Sequence, residues 1–167
     1  MTTAPLSPST RIAFIGGGNM ASAIIGGLIR QGVPARQITV VEPFAAQRDK
    51  LAQQFGVQVL EAAGATLSAA ALVVWAVKPQ TFKEAAQAAA AHTQSALHLS
   101  VAAGIRTGSI AAWLGNERIV RAMPNTPALV GLGMTGLFAC AGVNAQERAL
   151  VEQVVATTGA HLWVEQE

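Results

Sequence analysis

The sequence predicts an α/β fold, a doubly wound and mostly parallel sheet with helices on both faces. Three observations predict it. Strand-like and helical runs alternate at least five times along the chain, the pattern of βαβ units. Residues 71–77 (A-L-V-V-W-A-V) are apolar throughout, as a strand covered on both faces requires. Residues 11–21 (R-I-A-F-I-G-G-G-N-M-A) run from a β-rich segment through glycines straight into an amphipathic helix.

Each element has a local reason. Residues 11–15 form the first strand, and residues 19–31 the helix after it, stopped at Gly32 with Pro34 beyond. Residues 38–41 (I-T-V-V) are β-branched and make the second strand. Residues 45–55 are a helix closed by Gly56, and residues 57–59 a short strand. A small helical segment leads to the apolar strand 71–77. Residues 81–91 are alanine-rich helix, residues 97–101 strand, and residues 107–114 a short helix stopped by Gly115. Residues 119–121 are a strand ending at the Met123-Pro124 break. Residues 134–140 and 162–164 are further strands, separated by a helix over residues 144–158 with Gly159 as its stop.

The 167 residues suit one domain, and no repeat or flexible linker divides them. With 51% hydrophobic and only 12% charged residues, a substantial core is expected over residues 11–167. Residues 1–10 are polar and proline-bearing, and read as a disordered tail rather than a signal peptide. A net charge of +2 with no basic run gives no reason to expect nucleic acid as a partner. The apolar runs fall short of the roughly 18 residues of a membrane span, so no membrane is expected. The lone Cys140 excludes an intrachain disulfide and reads as a small buried hydrophobe. A cytoplasmic protein is the expectation.

The chemistry concentrates at the strand ends. Gly16, Gly18 and Ala21 fit G-x-G-x-x-G/A, the dinucleotide-binding fingerprint. Gly16 makes the sharp turn, Gly18 lets a pyrophosphate lie against the main chain, and Ala21 lets helix and strand pack closely. The helix opening at Asn19 and Met20 then turns its free N–H groups toward the phosphates. In such sheets ligands bind beyond the carboxyl ends of the strands. The segments there are Gly16-Gly17-Gly18, Glu42-Pro43, Lys78-Pro79-Gln80, Ala102-Ala103-Gly104 and residues 123–127 (M-P-N-T-P), so all five are expected on one rim.

Glu42 ends the second strand, where the fingerprint places an acid that reads ribose hydroxyls and repels a 2′-phosphate. Arg48 argues the other way, since it can receive that phosphate. Lys78 suits neutralisation of a cofactor phosphate or a substrate carboxylate, or snorkels from the sheet edge. The prolines around Asn125 and Thr126 stiffen that segment. His92, His98 and His161 lie away from the glycine turn and read as structural or solvated. Trp75, Trp113 and Trp163 read as core or interface fillers. There is no phosphate loop of the G-x-x-x-x-G-K type, no nucleophile elbow and no metal-ligand cluster, so no metal is expected.

Together F-I-G-G-G-N-M-A (14–21), A-V-K-P-Q (76–80), S-V-A-A-G (100–104) and R-A-M-P-N-T-P (121–127) resemble Δ1-pyrroline-5-carboxylate reductase. The resemblance is to its N-terminal dinucleotide-binding domain, Rossmann-like in fold, and covers essentially everything from Arg11 onward. It implies NAD(P)H-dependent reduction of 1-pyrroline-5-carboxylate to L-proline, the last step of proline biosynthesis. It implies that Gly16, Gly18, Asn19, Met20, Ala21, Glu42, Arg48, Val77 and Lys78 hold the cofactor. Lys78, Pro79, Ala103, Gly104, Asn125 and Thr126 would approach the nicotinamide and the substrate, with no residue assigned as acid or base.

Two departures are visible. Glu42-Pro43-Phe44 stands where the family often has an Asn-Arg-Ser/Thr type segment suited to a 2′-phosphate, whereas Ala21 in the third fingerprint place accompanies NADP enzymes. NADPH and NADH both remain open. Family members also continue into a helical domain that builds the homo-oligomer and holds the substrate carboxylate, and its G-S-G-P-A-Y and S-P-G-G-T-T segments are absent here. The expectation is a cofactor domain that binds dinucleotide and turns over little substrate alone. A stand-alone dinucleotide-binding module, and a related reductase of a 3-hydroxy acid or another imine, are the competing readings.

Overall fold

The structure, a computed structural model, describes residues 6–167. Its centre is one eight-stranded sheet in the order β3-β2-β1-β4-β5-β6-β7-β8. The strands are β1 (Ile12–Ile15), β2 (Ile38–Val41), β3 (Gln58–Leu60), β4 (Leu72–Trp75), β5 (Leu97–Ser100), β6 (Ile119–Met123), β7 (Gly133–Ala139) and β8 (Gly159–Trp163). All neighbours pair in parallel except β6 and β7, which run antiparallel with Arg121 opposite Phe138. The helices are α1 (Asn19–Arg30), α2 (Ala45–Phe55), α3 (Pro79–Ala89), α4 (Thr107–Leu114) and α5 (Ala145–Val155). The doubly wound α/β class expected from the sequence is the observed one.

Strand alternation sorts the core into two layers. Ile12 and Phe14 of β1, with Leu72 and Val74 of β4, face α1, α2 and α5 through Ile24, Ile25, Leu28, Leu51 and Val151. Ala13 and Ile15, with Val73 and Trp75, face α3 and α4 through Phe82, Ala86, Ile110 and Leu114. Trp75 and Phe82 stack with ring centroids 5.0 Å apart, and Trp113 closes the cluster 5.8 Å from Phe82. Every residue of β1 and β4 is buried, which explains why those strands read as unbroken apolar runs; β5 is buried as fully although it carries His98 and Ser100.

Several boundaries move, each for a local reason. The apolar run 71–77 pairs only over Leu72–Trp75, and Ala76 to Lys78 form the crossing into α3. Pro79 opens α3 two residues before the expected start at 81, because a first-turn residue needs no N–H. The helix expected over 144–158 is α over Ala145–Val155 and tightens to 3₁₀ over Ala156–Thr158. Asn144 caps it, accepting from Glu147 N at 2.8 Å while Glu147 Oε1 accepts from Asn144 N at 3.2 Å.

Gly159 is not merely a stop. It is the first residue of β8, three positions before the expected start at 162. It pairs with Gly133 at φ +121°, and a side chain there would run into the Gly133 backbone. Of the expected tail, residues 1–5 lie outside the described residues. The carbonyls of Ser7 and Thr10 accept from Gln37 Nε2 at 3.1 and 2.6 Å.

Candidate functional site

The strand order reverses between β1 and β4, so the loops at their carboxyl ends diverge and leave a crevice. The glycine turn lies at that point. Gly16 has φ +95°, and a Cβ on it would collide with the Ala76 carbonyl and stand 3.2 Å from Val77 Cγ1. Its N–H donates to Val41 O at 2.9 Å, tying the turn to β2 as well. Glycine is therefore required at 16 for both conformation and space. Gly18 differs: a Cβ there meets nothing within 4 Å. Helix α1 starts at Asn19 with no capping side chain and no acidic residue in its first turn. Unsatisfied N–H groups and a partial positive charge thus face open space beside a bare backbone, the arrangement a pyrophosphate fits. Ala21 is fully buried against the sheet.

Two residues of α2 brace the turn from the other side. Gln47 Nε2 donates to Gly17 O at 2.5 Å. Arg48 Nη1 donates to the carbonyls of Glu42 and Pro43 at 2.9 and 2.7 Å, so the guanidinium closes over the β2–α2 loop. Glu42 is 8% exposed and its N–H donates to Leu60 O at 2.8 Å. Its Cβ stands 3.4 Å from where a Gly17 Cβ would be, so its side chain rises directly beside the glycine turn.

A pocket of about 460 Å³ opens on the far side of the turn. Met20, Ala103, Gly104, Asn125 and Thr126 line it, together with Arg121. Ser100 Oγ accepts from Ala102 N at 3.2 Å and so shapes the V-A-A-G turn. Asn125 Oδ1 accepts from Met134 N at 3.0 Å, which anchors the M-P-N-T-P segment on β7 and fixes the orientation of its amide.

The structure thus brings Met20, Ala103, Gly104, Asn125 and Thr126 together, with Val77 against Gly16. Lys78 and Pro79 are exposed at the start of α3 and do not line this pocket. The Lys78 carbonyl accepts from Thr81 N and Thr81 Oγ1. Among the described residues no group of three or more His, Cys, Asp or Glu is placed to hold a metal ion. No helix among them is long and apolar enough to cross a membrane.

Three residues were missed in the sequence. Gln47 carries no motif, since any polar residue is allowed on an exposed helical turn. Arg121 stands inside R-A-M-P-N-T-P, yet its partner lies 46 residues away: Arg121 Nη1 pairs with Glu167 Oε1 at 3.0 Å. Glu167 also accepts from Thr107 N at 2.6 Å and Thr107 Oγ1 at 3.0 Å, capping α4. The Arg121 Nε is buried without a hydrogen-bond partner among the described residues.

Comparison with known proteins agrees with this geometry. The chain is 47% identical over 159 residues to a pyrroline-5-carboxylate reductase of Pseudomonas aeruginosa, an alignment covering 94% of this chain and 58% of that one. It is 41% identical over 162 residues to that of Pasteurella multocida, covering 93% and 58%. The chain therefore spans a little over half the length of these curated relatives. The solved structure of a pyrroline-5-carboxylate reductase from Coxiella burnetii matches with a TM-score of 0.89 at 37% identity, over 95% of this chain and 60% of that chain. Residues 11–104 match the family described as NADP oxidoreductase coenzyme F420-dependent. That match covers more than half of the sequence, so the chain belongs to the family of NADP oxidoreductases described as coenzyme F420-dependent, with pyrroline-5-carboxylate reductases as its relatives.

Proposed function

We propose that this chain supplies the cofactor-binding half of a reductase that converts 1-pyrroline-5-carboxylate to L-proline with NADPH or NADH. The observation that carries this reading is the pocket where Met20 of the glycine turn meets Ala103-Gly104 and Asn125-Thr126. Those loops lie within an alignment that is 47% identical to a pyrroline-5-carboxylate reductase. Bound reduced nicotinamide supplies a hydride, which adds to the carbon of the protonated C=N bond and leaves a secondary amine.

The residues of this chain bind and align. The turn 16–18 and the α1 amino terminus hold the pyrophosphate, with Asn19 and Met20 at the start of the helix and Val77 behind Gly16. The small side chains of Ala103 and Gly104 let a flat ring lie against the main chain. Asn125, braced by Met134 N, presents its remaining amide hydrogens in a fixed direction. Lys78 adds positive charge at the mouth of the crevice, where phosphate and carboxylate groups are both anionic. No acid–base residue is assigned, because an iminium carbon is already electrophilic and alignment supplies most of the acceleration.

The reading includes a small-molecule partner, a cytoplasmic setting, and self-association of the complete enzyme. Exposed Leu129, Val130, Leu132, Met134 and Leu162 on the β7–β8 side support the last of these.

The test compares the 167-residue chain with the same chain joined to the remainder of the Pseudomonas aeruginosa relative. The chain alone is expected to bind reduced dinucleotide and form negligible proline. The joined protein is expected to form proline at the expense of the dinucleotide. A joined protein that folds and binds dinucleotide yet forms no proline refutes the substrate assignment.

A further inference from the structure

We propose that Gln47 is a positioning residue for the cofactor. By donating to the Gly17 carbonyl it fixes the 17–18 peptide with the Gly18 N–H turned into the crevice, ready for a pyrophosphate oxygen. The proposal rests on the reading of the glycine turn as a dinucleotide site. Its starting observation is how each peptide of that turn is held. The Gly16 N–H donates to Val41 O at 2.9 Å, which fixes the 15–16 peptide on β2. The Gly18 carbonyl accepts from Ser22 N at 2.9 Å, which fixes the 18–19 peptide in the first turn of α1. The peptide between them is held by a side chain instead. Its Gly17 carbonyl accepts from Gln47 Nε2, 30 residues away, and its Gly18 N–H donates to no group among the described residues.

Geometry sets the consequence. In a planar trans peptide the C=O and the next N–H point in opposite directions. Gln47 lies in the first turn of α2, and Leu51 of the same helix backs Gly17: a Cβ on Gly17 would stand 2.5 Å from Leu51 Cδ1. A carbonyl drawn toward α2 therefore sends the Gly18 N–H away from it. That is the open side, where a Cβ on Gly18 meets nothing within 4 Å.

The lock is needed because both residues of this peptide are glycine. Without a Cβ on either side, the peptide can turn over at little steric cost. Turned over, it would set the Gly17 carbonyl oxygen against the phosphates, acceptor against acceptor. Gln47 prevents this before any ligand arrives, which removes an ordering cost from binding. Its hydrogen bond also polarises the peptide, so the Gly18 N–H becomes a stronger donor. Gln47 thus acts through Gly18, and the pyrophosphate is the part of the cofactor that feels it.

Calorimetric titration of the 167-residue chain and of Gln47→Met, with NADH and with NADPH, tests the proposal without any turnover. Methionine keeps the length and the helix preference and removes the donor. Both cofactors carry the same pyrophosphate, so both are expected to bind the folded variant about tenfold more weakly. Gln47→Lys restores a donor and is expected to bind both within about threefold of the unmodified chain. That comparison is made in about 1 M salt, where a Debye length of about 3 Å suppresses the added charge. Nuclear magnetic resonance of the free chains supplies a readout that a merely structural brace would not move. Relaxation dispersion at the Gly18 amide, from exchange between two peptide orientations, is expected in Gln47→Met and not in the unmodified chain. Folded Gln47→Met that binds both cofactors as tightly as the unmodified chain overturns the positioning role and leaves the dinucleotide site standing. So does Gln47→Lys as weak as Gln47→Met, or a Gly18 amide with the same shift and relaxation in both chains. Failure of the unmodified chain to bind either cofactor overturns the site itself.

Discussion

Trp75 Nε1 donates to His98 Nδ1 at 3.0 Å inside the layer that packs β4 and β5 against α3 and α4. Since Nδ1 accepts, the ring proton sits on Nε2 and is donated to the Thr93 carbonyl at 3.2 Å. The imidazole is thus held neutral in one tautomer. Burial lowers its pKa from 6.5 to about 4; the Thr93 carbonyl opposes the shift and Arg118 adds to it. The unfolded chain takes up a proton as pH falls through 6.5, and the folded chain does so only near 4. Stability is therefore full above pH 6.5 and declines between there and pH 4, by about 3 kcal/mol at most for this one group. Urea denaturation across that range measures it. His98→Gln, which keeps an acceptor for Trp75, is expected to flatten that part of the profile; an equally steep profile in the variant would show that His98 is not its source.

The glycine turn separates two effects that a motif merges. Gly16→Ala sets a Cβ against the Ala76 carbonyl at φ +95°, so it is expected to cost roughly 2 kcal/mol or more of stability. Gly18→Ala meets nothing within 4 Å and loses only an N-cap preference of about 0.5–1 kcal/mol. Its expected effect is on ligand: dinucleotide affinity falls about tenfold, or roughly 1.4 kcal/mol. Thermal denaturation and titration of both variants check this, and equal destabilisation by the two would contradict it.

Glu167 joins Arg121 of the pocket to the start of α4 through three hydrogen bonds. Glu167→Gln is expected to destabilise the chain by about 1–2 kcal/mol, because the Arg121 charge loses its partner where water replaces it only in part. Replacing both ends, with Arg121→Met and Glu167→Gln, is expected to recover part of that loss. Denaturation of the single and double variants gives the coupling, and strict additivity would show that the pair contributes nothing.

Much of the fold was legible because its signals are local. β1 and β4 are buried on both faces and so read as apolar runs, while α2 and α4 end in Gly56 and Gly115, each in the left-handed conformation of a helix stop. Gly159 misled because a glycine after a helix reads as a stop, and only the opposing Gly133 backbone shows that it begins β8. The site was legible to the same degree. Met20, Ala103, Gly104, Asn125 and Thr126 follow strand ends, and one topological rule gathers strand ends onto one rim. Gln47, and the Arg121–Glu167 pair, depend on contacts 30 and 46 residues apart that leave no periodic or compositional trace.

The central claim is that the open turn at Gly18 and the unpaired amino terminus of α1 hold a dinucleotide. Calorimetric titration of the chain with reduced dinucleotide, beside folded Gly18→Val, tests it most directly. Saturable one-to-one binding that the valine abolishes is the predicted result. Binding that survives Gly18→Val unchanged, or no heat at millimolar dinucleotide, would contradict the account.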